Sequence, residues 1–324
     1  MKLTAAVLFQ SIALAAADPS LLSLVMPDAK VIAGARVDQA KNSPFGMYVL
    51  THLQLDDADF LKFVAATGFD PRRDVREVLV ASNSVQYDPS HWLVLVKGSF
   101  NPERIEGAAQ ANGGTVSKHQ GINILSGSTA HSDLKAAQGA IAFLDSSTAV
   151  MGDVAGVEAA IDRHYANKAV STKLAGKVQQ VSASYDFWFT TLVPLAEFAG
   201  AMPDPNLSSA MKGNLLGAIQ QTSGGVKFGQ NVQLYAEAVT RSPQDAAALV
   251  DVVKFLAGLI QTNRQNDKTA AQVSTLLDGL QTTTQGNVMT MSLAIPEATI
   301  EQMMSALRQE RGKAKETPQS RPLK

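Results

Sequence analysis

Trp92-Leu-Val-Leu-Val-Lys-Gly-Ser-Phe100 runs straight into Asn101-Pro102 and then Glu103-Arg-Ile105. The first segment has the β-branched, apolar character of a strand. Asn is a preferred N-cap, and Pro at the first helical position gives up only an amide that would be unpaired anyway, so a helix is expected to open at this corner. The same arrangement returns later in the chain. Val232-Gln-Leu-Tyr-Ala-Glu-Ala-Val239 is the strand, Ser242-Pro243 the corner, and residues 244–260 the helix. This echo predicts an α+β fold built as two tandem copies of a mostly antiparallel sheet with helices packed on one face.

Other anchors repeat in the same order. Val31, Ala33, Ala35 and Val37 alternate, as do Val181, Ala183, Tyr185 and Phe187, and Pro194 stands 150 residues after Pro44. Val157, Ala160 and Ile161 match Ile300, Met303 and Met304 at an offset of 143, and the two corners are 141 apart. The drift is expected from the hairpins: the first spends residues 83–90 on its loop, while the second turns tightly at Gly229-Gln-Asn231. A first repeat over 18–170 and a second over 176–311 follow, with a join near 168–177.

Between these anchors, the spacing predicts a strand at 30–38 and a helix from Ser43-Pro44 carrying Phe45, Tyr48, Val49, His52 and Leu53 on one stripe. A second helix over 57–67 ends at Gly68, and a capped turn at Asp70-Pro71 leads to a strand at 75–82 that pairs with 92–100 as a hairpin. Strands are expected around 116–125, 139–144 and 149–152, then a helix capped by Asp153. Leu249, Val252, Val253, Leu256, Leu259 and Ile260 form the longest apolar stripe, and Val273, Leu276, Leu277 and Leu280 another; both are expected in the core.

With 324 residues the chain is long enough for two cores. Its net charge of -1 and charged fraction of 18% offer no electrostatic footprint for nucleic acid or an acidic membrane surface. Lys2, the apolar run 3–14 and Ala15-Ala16-Ala17 before Asp18 have the form of a secretory signal peptide over 1–17, so an exported protein, periplasmic or extracellular, is expected. No later segment is long and apolar enough to span a bilayer. The zero cysteine count excludes disulfides, thiolate metal sites and a cysteine nucleophile. Residues 312–324 read as a disordered tail.

Motifs that carry chemistry are scarce. His52, His91, His119, His131 and His164 are not spaced as metal ligands, and no serine-hydrolase elbow, phosphate loop or dinucleotide fingerprint is present. No metal, cofactor or catalytic group is therefore assigned. The strongest local cluster is Asp70, Arg72, Arg73 and Asp74, where two guanidinium groups could take an anion; capping and ion pairing of the turn explain the spacing as well. Arg36 and Asp186 are equivalent under the 150 offset and could form an ion pair across the two copies or line a polar cleft between them. Trp188 is the ring expected to face away from Tyr185, Phe187 and Phe189, and could stack on a ligand.

Leu24-Val-Met-Pro27-Asp-Ala29, Ser43-Pro-Phe-Gly46 and Gly68-Phe-Asp-Pro-Arg-Arg-Asp74 resemble segments of uncharacterised exported proteins of acidobacterial type, over most of the mature chain. The resemblance implies an exported two-copy protein and brings no activity, ligand or site residue. The functional expectation is a non-catalytic binding or interaction module for a protein or envelope partner, with its site in the groove between copies. Two rivals stand beside it: a hydrolase with scattered groups drawing on His91, His119 or His131, and a structural subunit of an envelope assembly.

Overall fold

In the computed structural model, the described residues are 16–44, 46–47, 58–84, 91–127, 139–166, 172–194, 197, 216–263, 274, 276–300, 302 and 305. Twelve strands form one sheet in the order β11-β12-β10-β9-β8-β1-β2-β3-β7-β6-β5-β4. In chain order they are β1 (Val31–Arg36), β2 (Val75–Ser82), β3 (Trp92–Gly98), β4 (Thr115–His119), β5 (Ile122–Ser126) and β6 (Gly139–Asp145), then β7 (Thr148–Asp153), β8 (Phe187–Thr191), β9 (Ile219–Lys227), β10 (Asn231–Thr240), β11 (Gln281–Gln285) and β12 (Val288–Pro296). Every neighbouring pair is antiparallel. The fold is α+β.

The order has a centre. β1 and β8 pair antiparallel, and from them the sheet runs outward as β1-β2-β3-β7-β6 on one side and β8-β9-β10-β12-β11 on the other; the first arm continues with β5-β4. The Asn101-Pro102 and Ser242-Pro243 corners occupy the same place in each arm. Asn101 accepts from the Arg104 amide at 3.1 Å and opens a helix over Pro102–Ala111, while Ser242 Oγ accepts from the Asp245 amide at 3.1 Å and opens one over Pro243–Asn263.

The eight helices that enter the description are α1 (Pro19–Leu22), α2 (Val37–Ala40), α3 (Ala58–Thr67), α4 (Pro71–Asp74), α5 (Pro102–Ala111), α6 (Val154–Ala166), α7 (Thr172–Ser184) and α8 (Pro243–Asn263). They are divided between the two faces of the sheet rather than gathered on one. On the front face, Ile32, Leu79, Leu93, Leu95, Val150 and Trp188 pack with Leu21 of α1, Val157 and Ile161 of α6, and Val178 and Val181 of α7 in the main core. Each such Leu or Ile contributes about 2–3 kcal/mol on leaving water. On the back face, α5 buries Ile105, and α8 packs Ala246, Leu249 and Val250 against Ala238 and Met289.

Three expectations change at this level. Residues 181–185, expected in a strand, belong to the end of α7 and its exit, and β8 starts only at Phe187. The period-two pattern straddled a helix end and a strand start, and Val178 with Val181, spaced three apart, is the pattern that decides the structure. The strand expected at 30–38 ends at Arg36, where α2 begins. The long α8 stripe is core only in its first turns: Leu249 is buried, whereas Val252, Phe255, Leu256 and Leu259 are exposed.

Phe45, Tyr48, Val49, His52 and Leu53 of the helix expected from Ser43-Pro44, the tail 312–324 and Val273 lie outside the described residues. So do Met303, Met304 and the signal segment up to Ala15. Leu276, Leu277 and Leu280 of the second stripe are half-buried rather than core. Ala17 lies within them, is 2% exposed, packs in the main core and donates its amide to Ser182 Oγ at 2.9 Å.

Candidate functional site

Arg36 and Asp186 meet at the centre of the sheet. Arg36 Nη2 lies 3.3 Å from Asp186 Oδ1 and 3.4 Å from the Tyr185 carbonyl, with both side chains buried. Asp186 Oδ2 accepts from the Phe228 amide at 2.8 Å, and its backbone joins the Arg36 amide and the Val226 carbonyl. The pair thus ties β1, β8 and the end of β9 together from within. It leaves the carboxylate turned to protein donors rather than to a ligand.

Arg72 and Arg73 sit on the short helix α4 at the entry to β2. Asp70 caps that helix, and Arg72 closes on the Asp70 carboxylate with Nε at 3.1 Å and Nη2 at 3.0 Å while its guanidinium lies 5.4 Å from the Phe60 ring centroid. Arg73 forks onto Asp74, 2.7 Å through each of Nε and Nη2, and reaches the Gly68 carbonyl at 2.6 Å. These arginines hold the Asp70 and Asp74 carboxyls below the usual carboxylate range. Both guanidinium groups are engaged in shaping the turn.

Trp188 has the opposite placement from the one expected. It is 3% exposed on the front face, whereas Phe187 and Phe189 are 38% and 42% exposed on the back. Its ring covers Gly34, where a Cβ would come within 2.4 Å of Trp188 Cζ2, so glycine at 34 is what lets the indole lie flat on the sheet. Tyr185 covers Gly225 in the same manner and stacks on Tyr235 at 5.3 Å and 14°. The Tyr235 hydroxyl donates to Glu237 at 2.9 Å, and Lys177 of α7 reaches the same carboxylate at 2.5 Å. Burial and the carboxylate neighbour push the Tyr235 phenol well above its ordinary value.

Two hollows open on the back face. Between α3, α5 and the strands β2, β3, β7 and β6 lies a cavity of about 1040 Å³. Val78, Val94, Val96, Ala149 and Met151 form its floor, and Phe63, Ile105, Ala108 and Ala109 its roof. Phe63, Phe69, Phe100 and Phe143 follow one another along it, with ring centroids 6.3, 5.5 and 5.3 Å apart. The floor residues are the alternate positions of strands whose other face fills the main core. They are mostly Val and Ala, which leaves the opposing helices standing off the sheet. Among its described lining residues, Lys62, Asn112 and Ser126 are the ones with polar side chains other than backbone-like glycine.

A second hollow, about 400 Å³, lies over the centre of the same face. Ala33 and Ala35 of β1 are its floor, with Val80 of β2, Phe187 and Phe189 of β8, and Val226 and Leu234 beyond. Val78 lines both hollows. This hollow is a shallow apolar trough on a continuous sheet, where β1 meets β8.

The histidines do not converge there. His119 Nε2 is 2.6 Å from Asp162 and His91 Nδ1 is 2.9 Å from Asn83 Oδ1, and neither lines a hollow; His131 lies outside the described residues. Among the described residues, no group of three His, Cys, Asp or Glu side chains could hold a metal ion, and no helix is long and apolar enough to cross a membrane. Sequence reading missed the cavity because it named polar and aromatic residues, while the cavity is made by Val and Ala at alternate strand positions. The alternation at 92–96 carried that signal.

No protein-family description matches the chain, and no curated protein matches it. A solved structure, crystal form I of TP0453, aligns with it at 10% sequence identity and a TM-score of 0.47, over 90% of this chain and 98% of that one.

Proposed function

We propose that this chain is an exported, non-catalytic binding protein whose ligand is an apolar, chain-like small molecule held in the back-face cavity. The observation that carries the reading is the cavity itself: about 1040 Å³, walled by hydrocarbon and aromatic side chains. That volume stands at the top of the roughly 300–1,000 Å³ range of small-molecule pockets. Each methylene transferred from water into such a wall is worth about 0.8 kcal/mol, so a long alkyl chain gains enough to offset the cost of being immobilised. Hydrolysis finds less support, because the cavity's described lining brings no histidine or carboxylate to Ser126.

The signal-like N-terminus supports export, and tandem copying of one unit accounts for the two arms that share a strand order. A binding module addressed to the envelope is consistent with both. The test is titration with an environment-sensitive fluorescent fatty acid. Wild-type protein takes up the probe with saturable emission, and Ala109→Phe, which fills the roof of the cavity, weakens uptake at least tenfold while the circular dichroism spectrum is unchanged. Equal uptake by the two proteins sinks the proposal.

A further inference from the structure

We infer that the central trough is the second compartment of the same site, and that the ligand is a two-chain amphiphile with one chain in the cavity and the other along the trough. This deepens the reading above and rests on it. The geometry that carries it is continuity. Ala35 of β1, Val78 of β2 and Val96 of β3 are successive cross-strand partners on the back face; Ala35 lines the trough, Val96 the cavity, and Val78 both.

Ala35 and Val96 thus stand on either side of Val78, one strand spacing of about 4.8 Å each way, so the two floors adjoin at β2. Two hydrocarbon chains joined at one head group fit two compartments that adjoin in this way. A single chain fills one compartment and leaves the other to water.

The chemistry of the trough agrees. Its back-face side chains, Ala33, Ala35, Val78, Val80, Phe187, Phe189, Val226 and Leu234, are hydrocarbon and aromatic. Phe187 and Phe189 keep 38% and 42% of their surface exposed beside it. Contiguous apolar surface of this kind, next to a cavity of the same character, marks a place where a ligand covers it. None of the trough's described lining residues carries a charge that would compete for the chain. A methylene is worth about fourfold in affinity, so even a few of them bound in the trough separate a two-chain from a one-chain ligand by more than tenfold.

The experiment compares a lysophospholipid with the phospholipid of the same head group and chain length. Both are presented to the full-length mature protein, and retained lipid is counted by native mass spectrometry alongside competition with the fluorescent fatty acid. Wild-type protein is expected to bind the two-chain lipid at least tenfold tighter. Ala35→Trp, which fills the trough, should bring two-chain affinity down to the one-chain level and leave one-chain affinity within twofold; Val80→Trp serves if that variant does not fold. Ala109→Phe should weaken both.

Two-chain binding that is indifferent to Ala35→Trp and Val80→Trp overturns the second compartment while leaving the cavity reading intact. Retention of neither lipid by wild-type protein, with no effect of Ala109→Phe on the probe, overturns both. Association only with intact vesicles, with no lipid retained by the protein, overturns the inference in favour of a surface contact.

Discussion

At the residue scale, the Arg36–Asp186 pair shows how a polar constellation can be structural. Both side chains are buried, at 5% and 7% exposure, and the carboxylate is shared between a guanidinium and the Phe228 amide. Removing one member of a buried pair leaves the other charge uncompensated, at a cost of about 3–5 kcal/mol. Arg36→Ala and Asp186→Ala are therefore each expected to lower stability by that order in urea denaturation. The double variant should lose at least about 1 kcal/mol less than the sum of the two. Strict additivity would mean that the pair does not act as a unit. Trp188 carries the same lesson at a neighbouring position: its burial depends on the missing Cβ of Gly34.

At the scale of elements, α8 joins two environments in one helix. Its first turns are pinned by Ser242 and pack Ala246, Leu249 and Val250 on β10 and β12, while Phe255 is 64% and Leu256 52% exposed. A uniform apolar stripe in the sequence does not reveal where the sheet beneath it stops. Leu249→Ala is expected to cost about 2–4 kcal/mol through lost burial and a residual void. Phe255→Ser and Leu256→Ser should each stay within about 0.5 kcal/mol of the parent, as surface changes do. Thermal melts of the three variants check this; a large loss at Phe255 would place it against a packed neighbour.

The legibility of the other elements follows the same rule. Local chemistry made the α4 turn and the α5 opening readable, since the Asp70-Pro71 and Asn101-Pro102 caps act within four residues. The α7 to β8 passage was misread because Val181, Ala183, Tyr185 and Phe187 imitate a strand across a helix end. The phase error then carried the phenylalanines to the wrong face. A one-residue slip in a strand exchanges its two faces entirely.

At the scale of the whole molecule, the β1–β8 pairing makes the arms one sheet rather than two domains with a cleft between them. The main core draws on both arms: Leu79 and Val150 from the first, Val178, Val181 and Trp188 from the stretch that begins the second. Such sharing couples their unfolding. A single cooperative transition is expected, with coincident midpoints by tryptophan fluorescence and far-ultraviolet circular dichroism. Two resolved transitions would mean that the arms are independent after all.

What the sequence determined by itself was the inventory: the α+β class, the caps, the hairpins and the recurrence of the strand-corner-helix unit, because each depends on residues a few positions apart. What only the tertiary structure decided was which surfaces meet. Arg36 reaches Asp186 across 150 positions, helices settle on both faces, and Val and Ala at alternate positions of separate strands come to line one hollow. The physical reason is that burial is a property of the assembled sheet. Whether Val78 is core or cavity wall depends on how closely a distant helix approaches it, and no local pattern carries that distance.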